Sequence, residues 1–185
     1  EKFFIKLFTI ILFITIIFVT VDSIYQLVNN YNFLGMKKEN PFRVSGIFGE
    51  EYKLGSYLAR LFPMLIGLIL YLYNGKVRFI SILLILFLSY TSIFISGERT
   101  AIVLTLLSSL LMFVFLSEIR KMIFMASLFF GMCLIYIFNF YENVFIRVFT
   151  KTINSMNLNN IEKINIFTPH HESIYSNAYF MFKDN

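Results

Sequence analysis

Five residues, Ser96-Gly97-Glu98-Arg99-Thr100, separate two long apolar runs at 79–95 and 101–116. A guanidinium at such a tip offers a planar fork of donors that pairs bidentately with phosphate oxygens and stays charged in a partly dry site. The free backbone N–H groups that open the run after Thr100 add the positive end of a helix dipole on the same side. Arg99 is therefore a candidate ligand for an anionic, membrane-borne group, with Glu98 as a possible supporting residue. The two can equally pair with each other or with lipid headgroups. Arg43 precedes Gly46, Gly49 and Gly55 in a segment where backbone can turn sharply or approach a ligand, and it is the second candidate for phosphate. An arginine in a polar loop is also ordinary surface. Arg60 lies about one turn into the following apolar run with Pro63 behind it; it either snorkels to the surface or turns into a polar cavity. Glu51 could orient Arg43, although the adjacent carboxylates Glu50 and Glu51 suit a solvated loop. Lys37 and Lys38 read as headgroup contacts. His170 and His171 are the chain's only histidines and the only candidates for general-base work near neutral pH. The structural reading of that pair is the preferred one.

These residues need a scaffold, and composition says which. Hydrophobic residues make up 58% of the chain, charged ones 15%, and mean hydropathy is +0.73, more apolar than a soluble core requires. The expected fold is all-α, a polytopic integral membrane helical bundle forming one domain over 1–185. Five runs, 3–21, 57–73, 79–95, 101–116 and 122–140, are long enough to cross a hydrocarbon core of roughly 30 Å at about 1.5 Å per residue. The short segments 1–6, 74–78 and 117–121 carry Lys2, Lys6, Lys76, Arg78, Arg120 and Lys121. Short loops rich in Lys and Arg remain cytoplasmic. That places the amino end inside and three segments outside: a long loop over 22–56, the hairpin tip over 96–100, and the start of an outer loop over 141–185. The formal net charge of +5 is spread along the chain and contains no basic block, so nucleic acid is not an expected partner. The single Cys133 excludes an internal disulfide framework, and neither a metal nor another cofactor is expected. The chain begins at Glu1 without an initiator Met and is expected to be part of a longer protein.

VDSIYQ from Val21, RVSGIFGEEYKLGSYLARLFP from Arg43 and ISGERTAIVLTLLSSL from Ile95 together resemble the O-antigen ligase and O-antigen polymerase family of bacterial envelope enzymes. PHHESIYSNAYFMFKDN at the carboxyl end is similar to the stretch that leads into a Pro- and Gly-rich motif there. The resemblance implies a metal-independent membrane glycosyltransferase that moves a glycan from undecaprenyl diphosphate to an acceptor at the periplasmic face of the inner membrane. The acceptor is a lipid A core sugar or another lipid-linked glycan, and membrane lipids surround the enzyme. Arg43 and Arg99 match the family's arginines and are implied to bind the diphosphate, while the family's catalytic histidine motif is expected beyond Asn185. The competing class is a lipid-linked glycan flippase or other polytopic transporter. Such proteins place charges near mid-membrane, whereas here the spans are apolar at mid-depth and the charges gather at one end, which favours one-sided chemistry.

Overall fold

The computed structural model describes residues 2–150, 177, 179 and 181–183. His170 and His171, and most of the tail expected over 141–185, lie outside the described residues. Among those described, regular structure is helical: α1 (Lys2–Asn29), α2 (Leu54–Leu72), α3 (Gly75–Ser96), α4 (Arg99–Phe115), α5 (Arg120–Phe140) and α6 (Glu142–Val148), with 3₁₀ turns at Gly46–Phe48 and Ser117–Ile119.

The expected all-helical architecture is present among the described residues. Of the five apolar runs expected to span, four fall on helices that are long and apolar enough to cross a membrane: α1, α2, α3, and α5 with its preceding turn. The fifth apolar helix, α4, has 17 residues, about 25 Å at the helical rise, short of a roughly 30 Å hydrocarbon core. Its far end is closed by Arg120, whose Nε and Nη2 donate to the carbonyls of Phe113 and Val114 at 2.8 and 2.9 Å. The Ser117–Ile119 turn then redirects the chain into α5.

α3 is the hub, packing against α1, α2 and α5. The buried positions of α2, among them Leu58, Phe62, Leu65, Ile66 and Ile69, recur at three- and four-residue spacing and meet Ile82, Ile85 and Leu86 of α3 in one apolar core. On α4, Ala101 and Thr105 are buried while Val103, Leu106, Leu107 and Leu110 are exposed.

α1 runs past Val21 to Asn29, so the segment expected to open the outer loop is helical. Asp22, Ser23 and Gln26 are polar, which makes the stretch read as loop, yet all three are buried. The chain folding back over them supplies donors to one oxygen of Gln26 and one of Asp22. Gln26 Oε1 accepts from the Ser45 and Gly46 amides at 3.1 and 2.7 Å, and Asp22 Oδ1 accepts from the Phe33 amide at 2.8 Å. Asn30, at φ 64°, then ends the helix.

The two ends of the bundle differ in chemistry. At one, Arg78 Nη1 pairs with Glu118 Oε2 at 2.8 Å, tying the first turn of α3 to the α4–α5 link. At the other lie the loop between α1 and α2, the 96–100 tip, and α6.

Candidate functional site

The tip is built from a left-handed glycine. Gly97, at φ 65° and ψ 20°, closes α3, and its amide bonds the Phe94 carbonyl at 3.0 Å. Only glycine adopts this conformation without strain. It also admits a third element, because a Cβ at Gly97 would stand 2.9 Å from Arg147 Cδ and 3.0 Å from the Phe42 carbonyl oxygen.

Glu98, 8% exposed, is turned away from solvent and toward α2. The residue preceding that helix, Lys53, makes no side-chain cap, so the first N–H groups of α2 would be orphaned. Glu98 supplies the cap from across the bundle: Oε1 accepts from the Gly55 amide at 2.8 Å, Oε2 from the Ser56 amide at 3.1 Å, and Oε2 also accepts from the Ser56 hydroxyl. The dipole at the start of α2 favours this carboxylate further. α2 comes this close because Gly55 has no side chain; a Cβ there would meet Ser96 Oγ at 2.5 Å, Ala101 Cβ at 3.0 Å and Glu98 Cβ at 3.1 Å. The sequence segments GSYLAR and SGERTA are thus joined directly, glycine against tip and amide against carboxylate.

Arg43 is held over the same tip. Its Nε donates to the Ser96 carbonyl at 3.3 Å and its Nη2 to the Tyr52 carbonyl at 3.1 Å, while the guanidinium lies 4.3 Å from the Tyr52 ring centroid. Nη2 is 4.0 Å from Glu98 Oε1, and the Val44 amide bonds the Ile95 carbonyl at 3.2 Å. These contacts fix the plane of the fork and leave further N–H groups for a ligand.

Arg147 on α6 completes the cluster. Its Nε donates to the Gly97 carbonyl at 3.1 Å. Burial, followed by the neighbouring Arg147 cation, lowers the Arg43 pKa below the ordinary arginine value, with Glu98 and Tyr52 acting the other way. Burial, followed by Arg99, lowers that of Arg147, again opposed by Tyr52. Arg147 is therefore within electrostatic range of both Arg43 and Arg99, and the three share one end of the bundle with one buried carboxylate, Glu98, already committed to capping. Folding desolvates this charge and crowds it, and the opposite charge of an anion at this end would compensate both costs.

Of the residues singled out in the sequence, Arg43, Glu98 and Arg99 are brought together. Arg60 is exposed on α2 and makes none of the contacts described for the cluster. Glu51 is exposed and pairs with Lys53 Nζ at 2.6 Å, apart from Arg43. Arg147 was missed because it falls in the segment read as outer loop. The available signal was a one-turn apolar pattern, Val144 and Val148 flanking a lone arginine just beyond a span. Among the described residues, no group of three His, Cys, Asp or Glu side chains converges as a metal site would require.

Below Arg99, a cleft of about 260 Å³ runs between α3, α4 and α5. It is lined by Ile102, Leu106 and Ser109 of α4, together with Tyr90, Phe94 and Phe130. Residues 99, 102, 106 and 109 follow the three- and four-residue steps of one helical face, so the arginine heads an apolar stripe. At the deep end of the cleft, Tyr90 Oη and Ser109 Oγ share a hydrogen bond of 2.7 Å.

No protein-family model, no curated protein and no solved structure matches the chain.

Proposed function

We propose that the Arg43–Arg99–Arg147 cluster binds the diphosphate of a polyprenyl-linked glycan, and that the protein transfers this glycan to an acceptor in the manner of O-antigen ligases and polymerases. The observation that carries the reading is the cluster itself: three guanidinium groups at one end of an apolar bundle, those of Arg43 and Arg147 held by backbone carbonyls, above a cleft suited to a hydrocarbon chain. An amphiphile with a doubly phosphorylated head and an apolar tail complements both parts.

In the reaction, an acceptor hydroxyl oxygen forms the new bond to the anomeric carbon as the bond from that carbon to the diphosphate oxygen breaks. The hydroxyl proton passes to a general base, and the electron pair leaves on the prenyl diphosphate. Negative charge grows on the leaving group, and fixed guanidinium groups in a water-poor site stabilise it more in the transition state than in the ground state. Arg43 and Arg147 serve this role because their positions are set before substrate arrives. Glu98 holds the tip that carries Arg99. The cluster lies at the end of the bundle opposite the short basic loops, which corresponds to the outer face of a bacterial cytoplasmic membrane under the positive-inside rule.

The test is transfer by the full-length protein in proteoliposomes, given a fluorescent polyprenyl-diphosphate glycan and, in separate arms, a lipid A core acceptor or a second lipid-linked glycan. Transfer is expected in one arm, lost in Arg99→Ala and largely lost in Arg99→Lys, which keeps the charge without the fork. Passage of the glycan across the bilayer without transfer would replace the reading with that of a flippase.

A further inference from the structure

A second cavity, of about 360 Å³, opens between the end of α1, the following loop and the start of α6. Its volume falls within the roughly 300–1,000 Å³ range of small-molecule sites, and its lining includes Asn30, Lys38, Pro41, Tyr141, Asn143 and Val144. Two amides, a phenol and an ammonium around one hollow suit a polyhydroxylated ligand, which needs donors and acceptors on several sides together with a ring to stack against.

The Lys38 wall is preorganised. The Lys38 amide donates to the Asn30 carbonyl at 2.8 Å, and the Asn32 amide to the Met36 carbonyl at 3.0 Å. Within this turn Asn32 Oδ1 accepts from the Leu34 and Met36 amides at 3.0 and 2.8 Å, while its Nδ2 donates to the Gly46 carbonyl at 2.9 Å. The Lys38 side chain is half-buried, and among the carboxylates whose side chains are described none lies within ion-pair distance of its ammonium. Burial lowers its pKa below the ordinary lysine value, with no opposing charge to offset it.

The hollow adjoins the arginine cluster along two routes. Pro41 lines it, two residues before Arg43. Val144 lines it too, and Arg147 follows about one helical turn later on α6, donating to the tip. A sugar attached to a diphosphate in the cluster is therefore within reach of the hollow.

We infer that this hollow is a subsite for an acidic sugar of the glycan, with Lys38 pairing the sugar's carboxylate or phosphate and Asn30, Asn143 and Tyr141 meeting its hydroxyls and ring. The inference rests on the diphosphate reading for its geometry, and it narrows the substrate from lipid-linked glycans in general to those with an anionic sugar near the diphosphate.

The test uses the full-length protein in phosphatidylcholine nanodiscs with two synthetic probes, farnesyl-diphosphoryl-glucose and farnesyl-diphosphoryl-glucuronic acid, which differ only at the C6 carboxylate. The glucuronic acid probe is expected to bind about tenfold more tightly, the scale of one charge-assisted hydrogen bond. Lys38→Gln should remove that preference while retaining affinity for the glucose probe, and Lys38→Glu should reverse it. Equal affinities in the unmodified protein, or a preference unchanged by Lys38→Gln, would overturn the subsite. A preference that disappears when phosphatidylglycerol is added to the nanodisc would assign Lys38 to lipid headgroups and overturn it as well. If Arg99→Ala leaves both affinities unchanged while Lys38→Gln still removes the preference, the acidic-sugar subsite stands and the diphosphate reading falls.

Discussion

At the scale of the residue, Glu98 divides the chemistry of the site from its architecture. A carboxylate beside arginines invites a role toward substrate, but its oxygens are directed to the Gly55 and Ser56 amides and the Ser56 hydroxyl. Glu98→Gln keeps the shape and turns an NH2 group toward donors, so that at least one backbone amide at the start of α2 loses its acceptor. A buried donor left in that state costs about 1–3 kcal/mol. The expected outcome is a lower thermal midpoint for the purified protein in detergent, with Glu98→Ala lower still; midpoints equal to that of the unmodified protein would contradict the capping role. The arginines carry the opposite logic. Burial, then crowding by neighbouring cations, shifts Arg43 and Arg147 downward from the ordinary arginine value. A cation whose folded-state pKa is depressed subtracts from stability at every pH below that value, and the loss is recovered only as pH rises through it. No recovery is accessible at working pH, so under the proposed reading it is a bound anion that would offset the cost.

At the scale of the element, the tip works because three segments converge on one glycine. Gly97 closes α3, its carbonyl accepts from Arg147, and the Phe42 carbonyl packs where a Cβ would stand. Gly97→Ala imposes a strained left-handed conformation and a contact with the arginine. It is expected to lower the thermal midpoint and weaken diphosphate binding together, whereas Gly67→Ala, at a helical position with open space around it, should change neither. Diphosphate affinity unaffected by Gly97→Ala would show that α6 is not held through the tip. Much of this arrangement was legible beforehand. Apolar runs of span length marked the helices, and ISGERT between two of them marked the tip. The continuation of α1 was not legible, because Asp22, Ser23 and Gln26 have loop-like chemistry in isolation and become helical core only when the Ser45, Gly46 and Phe33 amides fold back onto them. The shortness of α4 was legible in the run over 101–116; what was not is Arg120 reaching back to close its far end at the Phe113 and Val114 carbonyls. The α6 arginine was hidden for a related reason: a seven-residue helix leaves too little periodicity to be read, and its placement comes from tertiary contact with Gly97.

At the scale of the whole molecule, the bundle is asymmetric in charge and in packing. One end carries the short basic links and the Arg78–Glu118 pair; the other carries the arginine cluster, the polar hollow at Lys38 and the mouth of the apolar cleft along α4. This one-sidedness suits chemistry at a membrane surface. A conduit would instead need polar groups leading from one face to the other. Diphosphate binding by the cluster is tested by the affinity of farnesyl diphosphate for the full-length protein in phosphatidylcholine nanodiscs with EDTA present, compared with Arg99→Ala. Saturable binding, weakened by roughly 10- to 100-fold on loss of the guanidinium, is the expected result. Equal affinity in the two proteins, or no saturable binding in either, would contradict it.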